Sequence, residues 1–385
     1  MKSYDAAAGD NAFGLSLLGQ VEKGKNAVVS PYNIRSALAL VYEGATRETA
    51  KEIAAVAGFA EDRPAQRAAF RSLIDTINNA KGYTLRSANG LWLAKNYPVK
   101  NDFKTAAADE YQAKIKNVDF HGNADGERQA INQWVSDNTE AKIPKLFPGN
   151  SLNENTIFVI ASALYFKGQW DAKFSTDYTQ KQDFTLSTGE KVKVEMMRKG
   201  HLEGKTPKFQ YAEFDGAQVV ALPYQGKEVA KVVFLPPKGE TVDNLVAELQ
   251  RQKRSVLDLA SSMRSEEFAR LELPKHEVRG NYGLVPLLKA MGMERMFSAE
   301  DAQFDSISTA EHLYVGSGFH KTFFKTDEEG SEGAAATGFG GFRSTSVQRP
   351  REPKEFVADR PFLEAILHKP TGSVLFLNRI ENPLG

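Results

Sequence analysis

The stretch from Asp327 to Arg360 constrains the fold more than any other. It opens Asp327-Glu328-Glu329-Gly330-Ser331-Glu332-Gly333-Ala334-Ala335-Ala336-Thr337, first acidic, then built almost wholly from side chains no larger than threonine. It runs on through two phenylalanines, Phe339 and Phe342, to a polar end carrying Arg343, Arg349, Arg351 and Lys354. No helix or strand period holds it as one element. Connections this long are uncommon, and they are either functional or linkers. Read as a strand, period two puts Ser331, Gly333, Ala335 and Thr337 on one face and Glu332, Ala334 and Ala336 on the other. Such a strand can enter a crowded gap between existing strands without carrying a charge or a large ring into a core. A plain linker has no need to avoid bulk at alternate positions.

The rest of the chain offers a sheet to receive it. Thr156 to Phe166 is short, rich in β-formers and apolar on both faces, the pattern of a central strand covered on both sides. Thr84–Leu93, Ile115–Phe120 and His312–Thr326 read as further strands, the last feeding straight into Asp327. Val219–Tyr224 and Val229–Leu235 flank Gln225-Gly226-Lys227-Glu228 as a hairpin, and Pro361–Leu367 and Ser373–Ile380 flank a second turn. Leu271, Leu273, His276 and Val278 sit in strand context. Helices are expected over 10–21, over 31–44 (Ser30 as cap, Pro31 in the first turn), and over 46–56, 64–79, 103–111, 127–143, 241–259 and 282–291. In the Ser-Pro helix, Ile34, Ala37, Leu38 and Val41 mark one buried face. Helices dominate the first half and strands the second, with no repeat. The class is mixed α+β with large, mostly antiparallel sheets.

Length alone suggests two or three domains for 385 residues. No linker precedes Asp327, so one coupled unit over 1–385 is expected, with the loop at about 328–360. Zero formal net charge argues against a nucleic acid or an anionic membrane as partner. Arg63, Arg67 and Arg71 recur at helical spacing but stop at three, which reads as solvated surface. Cysteine is absent, which rules out disulfides and zinc–thiolate sites and fits a reducing compartment. Met1-Lys2-Ser3-Tyr4-Asp5 lacks the apolar core of a signal peptide. A cytoplasmic protein is expected, or a secreted one whose signal was removed earlier.

Enzyme constellations fail. No Gly-x-Ser-x-Gly turn presents a serine nucleophile. Gly316-Ser317-Gly318 and His320 are close, but they lie in strand-like residues with no oxyanion hole. The six histidines are scattered without metal-ligand spacing, so no metal and no cofactor is expected. Asp327-Glu328-Glu329 alternates faces and reads as a charged edge rather than a carboxylate pair. Gly338–Gly341 lacks the lysine and helix of a phosphate loop.

Five ordered motifs resemble the serpin family. Asn26–Ile53, with its Ser-Pro helix start, is similar to the family's early block. Ile131-Asn132-Gln133-Trp134-Val135 through Lys142-Ile143 resembles the helix lying across the main sheet. Ala163-Leu164-Tyr165-Phe166-Lys167-Gly168-Gln169-Trp170 resembles the central-strand motif, and Asp327–Thr337 the reactive-loop hinge. Asp359-Arg360-Pro361-Phe362-Leu363 and Gly372–Pro383 resemble the C-terminal signature. The resemblance implies an α+β serpin fold of about eight or nine helices, a large central sheet and smaller ones. It implies a monomeric suicide-substrate inhibitor of serine endopeptidases, not a protease. A protease cuts the loop, and the loop inserts into the sheet and traps the acyl-enzyme.

Further residue roles follow from the resemblance. The hinge is Glu328, Glu329, Gly330, Ser331, Glu332, Gly333, Ala334, Ala335, Ala336 and Thr337. Glu328 is expected to pair with Lys275. Trp170, His320, Ser162, Ser30 and Asn33 would support opening of the sheet. Ser162 stands where the family has Asn, and Asn33 where it has a second Ser. Gly333 replaces a usual Ala, and Glu364 a common apolar residue. Spacing from Glu328 puts the cut at Ser344–Thr345. Arg343–Ser344, one residue earlier, suits a trypsin-like pocket and is favoured, with an elastase- or subtilisin-like target left open. The rival readings are a non-inhibitory carrier, chaperone or storage serpin, and an inhibitor of cysteine proteases.

Overall fold

The computed structural model describes residues 4–79, 82–201, 206–310, 312–331 and 352–385. The first half carries α1 (Ala8–Gln20), α2 (Pro31–Gly44), α3 (Arg47–Ala57), α4 (Arg63–Asn79), α5 (Asn101–Tyr111) and α6 (Phe120–Asn138). Among them lie β1 (Ala27–Val29), β2 (Tyr83–Ala94), β3 (Lys114–Val118) and β4 (Phe158–Gln169). Then come β5 (Gln180–Thr185), β6 (Lys191–Gly200), β7 (Lys208–Phe214), β8 (Ala217–Pro223) and β9 (Val229–Leu235). After α7 (Val242–Arg251) and α8 (Val256–Ser262) follow β10 (Arg264–Pro274), β11 (His276–Gly283), α9 (Leu284–Ala290) and β12 (Ser317–Thr326). The last described strands are β13 (Gly330–Ser331), β14 (Lys354–Val357), β15 (Phe362–His368) and β16 (Ser373–Ile380).

Most elements follow local chemistry. The Ser30 hydroxyl accepts from the Asn33 N–H at 3.1 Å and caps α2. The spacing predicts one buried face there, but α2 is buried along its whole length because it contacts both β4 and β16, strands of two different sheets. The helix expected over 127–143 starts at Phe120 and stops at Asn138, and Glu140 and Ala141 then take φ of 50° and 57°. The helix expected over 241–259 is two helices. Ser255 and Asp258 form a capping box that starts the second. The strand expected from His312 begins at Ser317.

Two sheets organise the described residues. One runs β1-β16-β15-β9-β8-β7-β10-β6-β5, with β14 beside β10. The other runs β11-β12-β4-β2-β3, with β13 against β4. In this second sheet β12 is parallel to β4, from Ser317 opposite Val159 to Phe323 opposite Tyr165, and β2 is parallel to β3. β4 is covered on both sides. Phe158, Ile160, Leu164 and Phe166 enter the main core, while Val159, Ala161 and Ala163 enter a smaller cluster with Ile131 and Val135 of α6. Among the described residues no helix is long and apolar enough to cross a membrane.

Candidate functional site

The seam between β4 and β12 is the place to look, because the acidic stretch leaves from its upper end. Past Phe323 the two strands no longer pair. The chain turns at Asp327, whose N–H donates to the Gly330 carbonyl at 2.9 Å. It returns antiparallel to β4, with Gly330 opposite Gln169 and Ser331 opposite Gly168. Glycine is required at 330. Its φ is 152°, and a Cβ there would stand 2.1 Å from the Gly168 carbonyl oxygen.

The turn is held from every side. Trp170 donates its N–H to the Glu329 carbonyl at 3.0 Å and its indole Nε1–H to the Asp327 carbonyl at 2.9 Å. The Trp170 ring stacks on Tyr224 with centroids 4.7 Å apart. The Tyr224 hydroxyl meets Ser331 Oγ at 2.6 Å, and Ser331 is buried. The three carboxylates do not form the charged edge expected from the alternation, because a tight turn sends each to its own lysine. Asp327 pairs with Lys325 at 3.1 Å, Glu328 with Lys275 at 3.0 Å, and Glu329 with Lys173. Thr179 Oγ1 also donates to Glu328 at 2.7 Å. Burial works to raise the Glu328 carboxyl, but Thr179, its own backbone N–H and Lys275 outweigh it and hold the group below 4.5.

Lower in the seam the structure brings together Ser30, Asn33, Ser162 and His320, all buried. The Ser30 N–H donates to His320 Nε2 at 3.1 Å, so Nδ1 carries the ring proton and faces Ser162 Oγ at 3.2 Å. Asn33 Nδ2 donates to the same Ser162 Oγ at 2.8 Å, and Asn33 Oδ1 accepts from the Ser87 hydroxyl at 2.6 Å. The longer Asn33 side chain spans the space that the short Ser162 leaves. His320 is pushed down to about 3 by burial, and its Ser162 contact offsets only part of that.

Sequence reasoning noted Glu364 as an unusual replacement but missed its partner, Lys231. Lys231 and Glu364 are fully buried and 2.8 Å apart. His276 Nε2 lies 3.2 Å from Glu364 Oε1, to which Asn378 Nδ2 donates at 3.0 Å. His276 Nδ1 faces the Pro274 carbonyl at 3.0 Å, so both ring nitrogens point at acceptors. Burial works to raise Glu364, but Lys231 and His276 outweigh it and hold the carboxyl at about 2. The signal was there: one lysine in an otherwise apolar β9, and one glutamate among the apolar residues of β15.

The remaining hinge residues, Glu332, Gly333, Ala334, Ala335, Ala336 and Thr337, lie outside the described residues, as do Arg343, Ser344 and Thr345. Two sheets, one of them taking up Gly330 and Ser331 of the acidic stretch beside β4, make a mixed α+β fold. The family model "Serpin (serine protease inhibitor)" matches residues 8–383, and the chain belongs to the serpin family. It is 34% identical over 379 residues to a serpin-like protein of Thermococcus kodakarensis, covering 97% of this chain and 84% of the other. It is 33% identical over 363 residues to the leukocyte elastase inhibitor of Bos taurus, covering 93% of each. Among solved structures, Serpin48 of the insect Tenebrio molitor superposes with a TM-score of 0.86 at 29% identity, covering 99% of both chains.

Proposed function

We propose that this chain inhibits serine endopeptidases as a suicide substrate. The observation that carries the reading is the pairing of Gly330 and Ser331 with β4. These two residues are the first rungs of a strand already entering the seam. Continued in the same register, Gly333 meets Phe166, Ala335 meets Leu164 and Thr337 meets Ser162. Those β4 positions face inward, toward the main core and the His320 group, so the small-residue face lands where bulk is excluded. Glu332 falls on the opposite face beside Lys167, where its charge has a partner.

Further entry must displace β12 from β4 along Ser317–Phe323. Roughly fourteen inserted residues at ~3.3 Å each carry a tethered protease on the order of 45 Å. Insertion must outrun hydrolysis of the acyl-enzyme, and the energy comes from a fold held short of its most stable form. The bond offered is Arg343–Ser344, for a trypsin-like pocket with a carboxylate at its base. Ser344–Thr345 is the alternative, for an elastase- or subtilisin-like enzyme. The absence of cysteine fits action in the cytoplasm.

The test mixes the protein with trypsin, elastase and subtilisin and runs a denaturing gel. A denaturant-resistant complex is expected, and the mass of the released fragment identifies the bond. Clean cleavage with no complex would overturn the reading in favour of a non-inhibitory serpin.

A further inference from the structure

Opening the seam separates the upper ends of β4 and β12. A side chain that contacts both comes from the other sheet. Lys231 stands in β9, between Ala230 and Val232. Its ammonium donates to Oγ1 of Thr326, the last residue of β12, and to Glu364 Oε2 at 2.8 Å. It also lies 4.8 Å from the centroid of the Phe324 ring in β12 and 5.7 Å from that of Trp170, the residue after β4. One cation therefore touches both sides of the seam.

Stability does not explain this arrangement. Two charges taken fully out of water cost more than an apolar pair of the same volume, which is commonly as stable or more so. What an ion adds is directionality. A hydrogen bond weakens steeply when donor and acceptor shift, whereas apolar contacts tolerate sliding. Glu364 is fixed by Asn378 opposite it in β16 and by His276 of β11, which sits opposite Thr326. Lys231 is thus held at a set height. If β12 moves, the Thr326 and Phe324 contacts are lost. If β4 moves, the Trp170 contact is lost.

We propose that Lys231, anchored by Glu364, is a positioning residue for strand insertion: it clamps the upper ends of β4 and β12 together and sets how fast the seam opens. The proposal rests on the insertion reading above and adds its regulation. It needs no residue of the loop beyond Thr326.

The test is amide hydrogen exchange on the full chain, comparing wild type with Lys231→Met/Glu364→Gln. The glutamine keeps an acceptor for Asn378 and His276. Amides pairing β4 with β12 are expected to lose at least about tenfold protection, the value of one charge-assisted hydrogen bond, while amides pairing β5 with β6 do not change. Equal loss in both places, or no loss in the seam, would overturn the clamp. Thr326→Val removes only the acceptor and should give the same selective loss if the double variant folds poorly. Both chains are also mixed with trypsin, elastase and subtilisin. Seam exchange that separates the variants while neither forms a complex supports the clamp and refutes the inhibitor reading. Complexes with unchanged seam exchange do the reverse.

Discussion

Acid is the sharpest probe of the seam, because His320 cannot take a second proton in place. Its Nε2 accepts from the Ser30 N–H, and Nδ1 already carries a hydrogen toward Ser162. Protonating Nε2 sets two N–H groups against each other in a fully buried site. The folded value of about 3 against an ordinary 6.5 gives the sign. Stability is full above 6.5 and falls as the unfolded chain takes a proton that the folded chain refuses. At 1.36 kcal/mol per pH unit, the loss between pH 7 and pH 4.5 is about 2.5 kcal/mol, and it reaches about 4 kcal/mol at pH 3. The assay is urea unfolding at pH 7 and pH 4.5 for wild type and His320→Gln. Other groups titrate in both, so the difference between the two losses isolates this ring. Proton resonances of the wild-type ring should also hold still from pH 8 to 4.5. A His320 titration near 6.5, or an equal acid loss in the variant, would refute the argument.

Gly330→Ala should unseat the turn, since its Cβ would stand 2.1 Å from the Gly168 carbonyl. Exchange at Gly168 and Gln169 should rise by one to two orders of magnitude, matching roughly 1–3 kcal/mol of backbone strain. Glu328 is held below 4.5, so its anchor is intact above that value and lost as pH falls through the lower folded one. Limited proteolysis at acid pH should cut wild type near the turn more readily than at pH 7, and Glu328→Gln should do so already at pH 7. On the proposed insertion, Thr337→Arg should convert inhibition into plain cleavage, because a charge would have to face the buried Ser162. The gel would then show cleaved protein with complex reduced at least tenfold, whereas unchanged complex would contradict the register.

Much of this was legible from local chemistry. Ser30-Pro31 announced a helix start, and Thr156–Phe166 announced a doubly covered strand, because caps and uninterrupted apolar runs act over a few residues. The alternating small side chains after Ser331 lie outside the described residues, and insertion stands on the proposal above. What local patterns could not supply was contact across sheets. Lys231 and Glu364 are far apart in sequence, and each alone reads as an odd charge; only the β9–β15 register, with Lys231 opposite Ile366 and Glu364 opposite Val233, makes them diagonal neighbours. The polar strands β5 and β6 were missed because their exposed alternation of charges resembles loop. Helix α6 ended early at a left-handed turn that Glu140 and Ala141 do not advertise.

The shared direction of β4 and β12 has its own consequence. Two strands pointing the same way are joined by slanted bonds that are slightly weaker per residue than those of opposed strands. Any segment that doubles back at Asp327 must point the opposite way to both. Pushed between them, it would exchange one joint of the weaker kind for two of the stronger. The sense in which the chain travels already tilts the balance toward the wider sheet, before any side chain is considered.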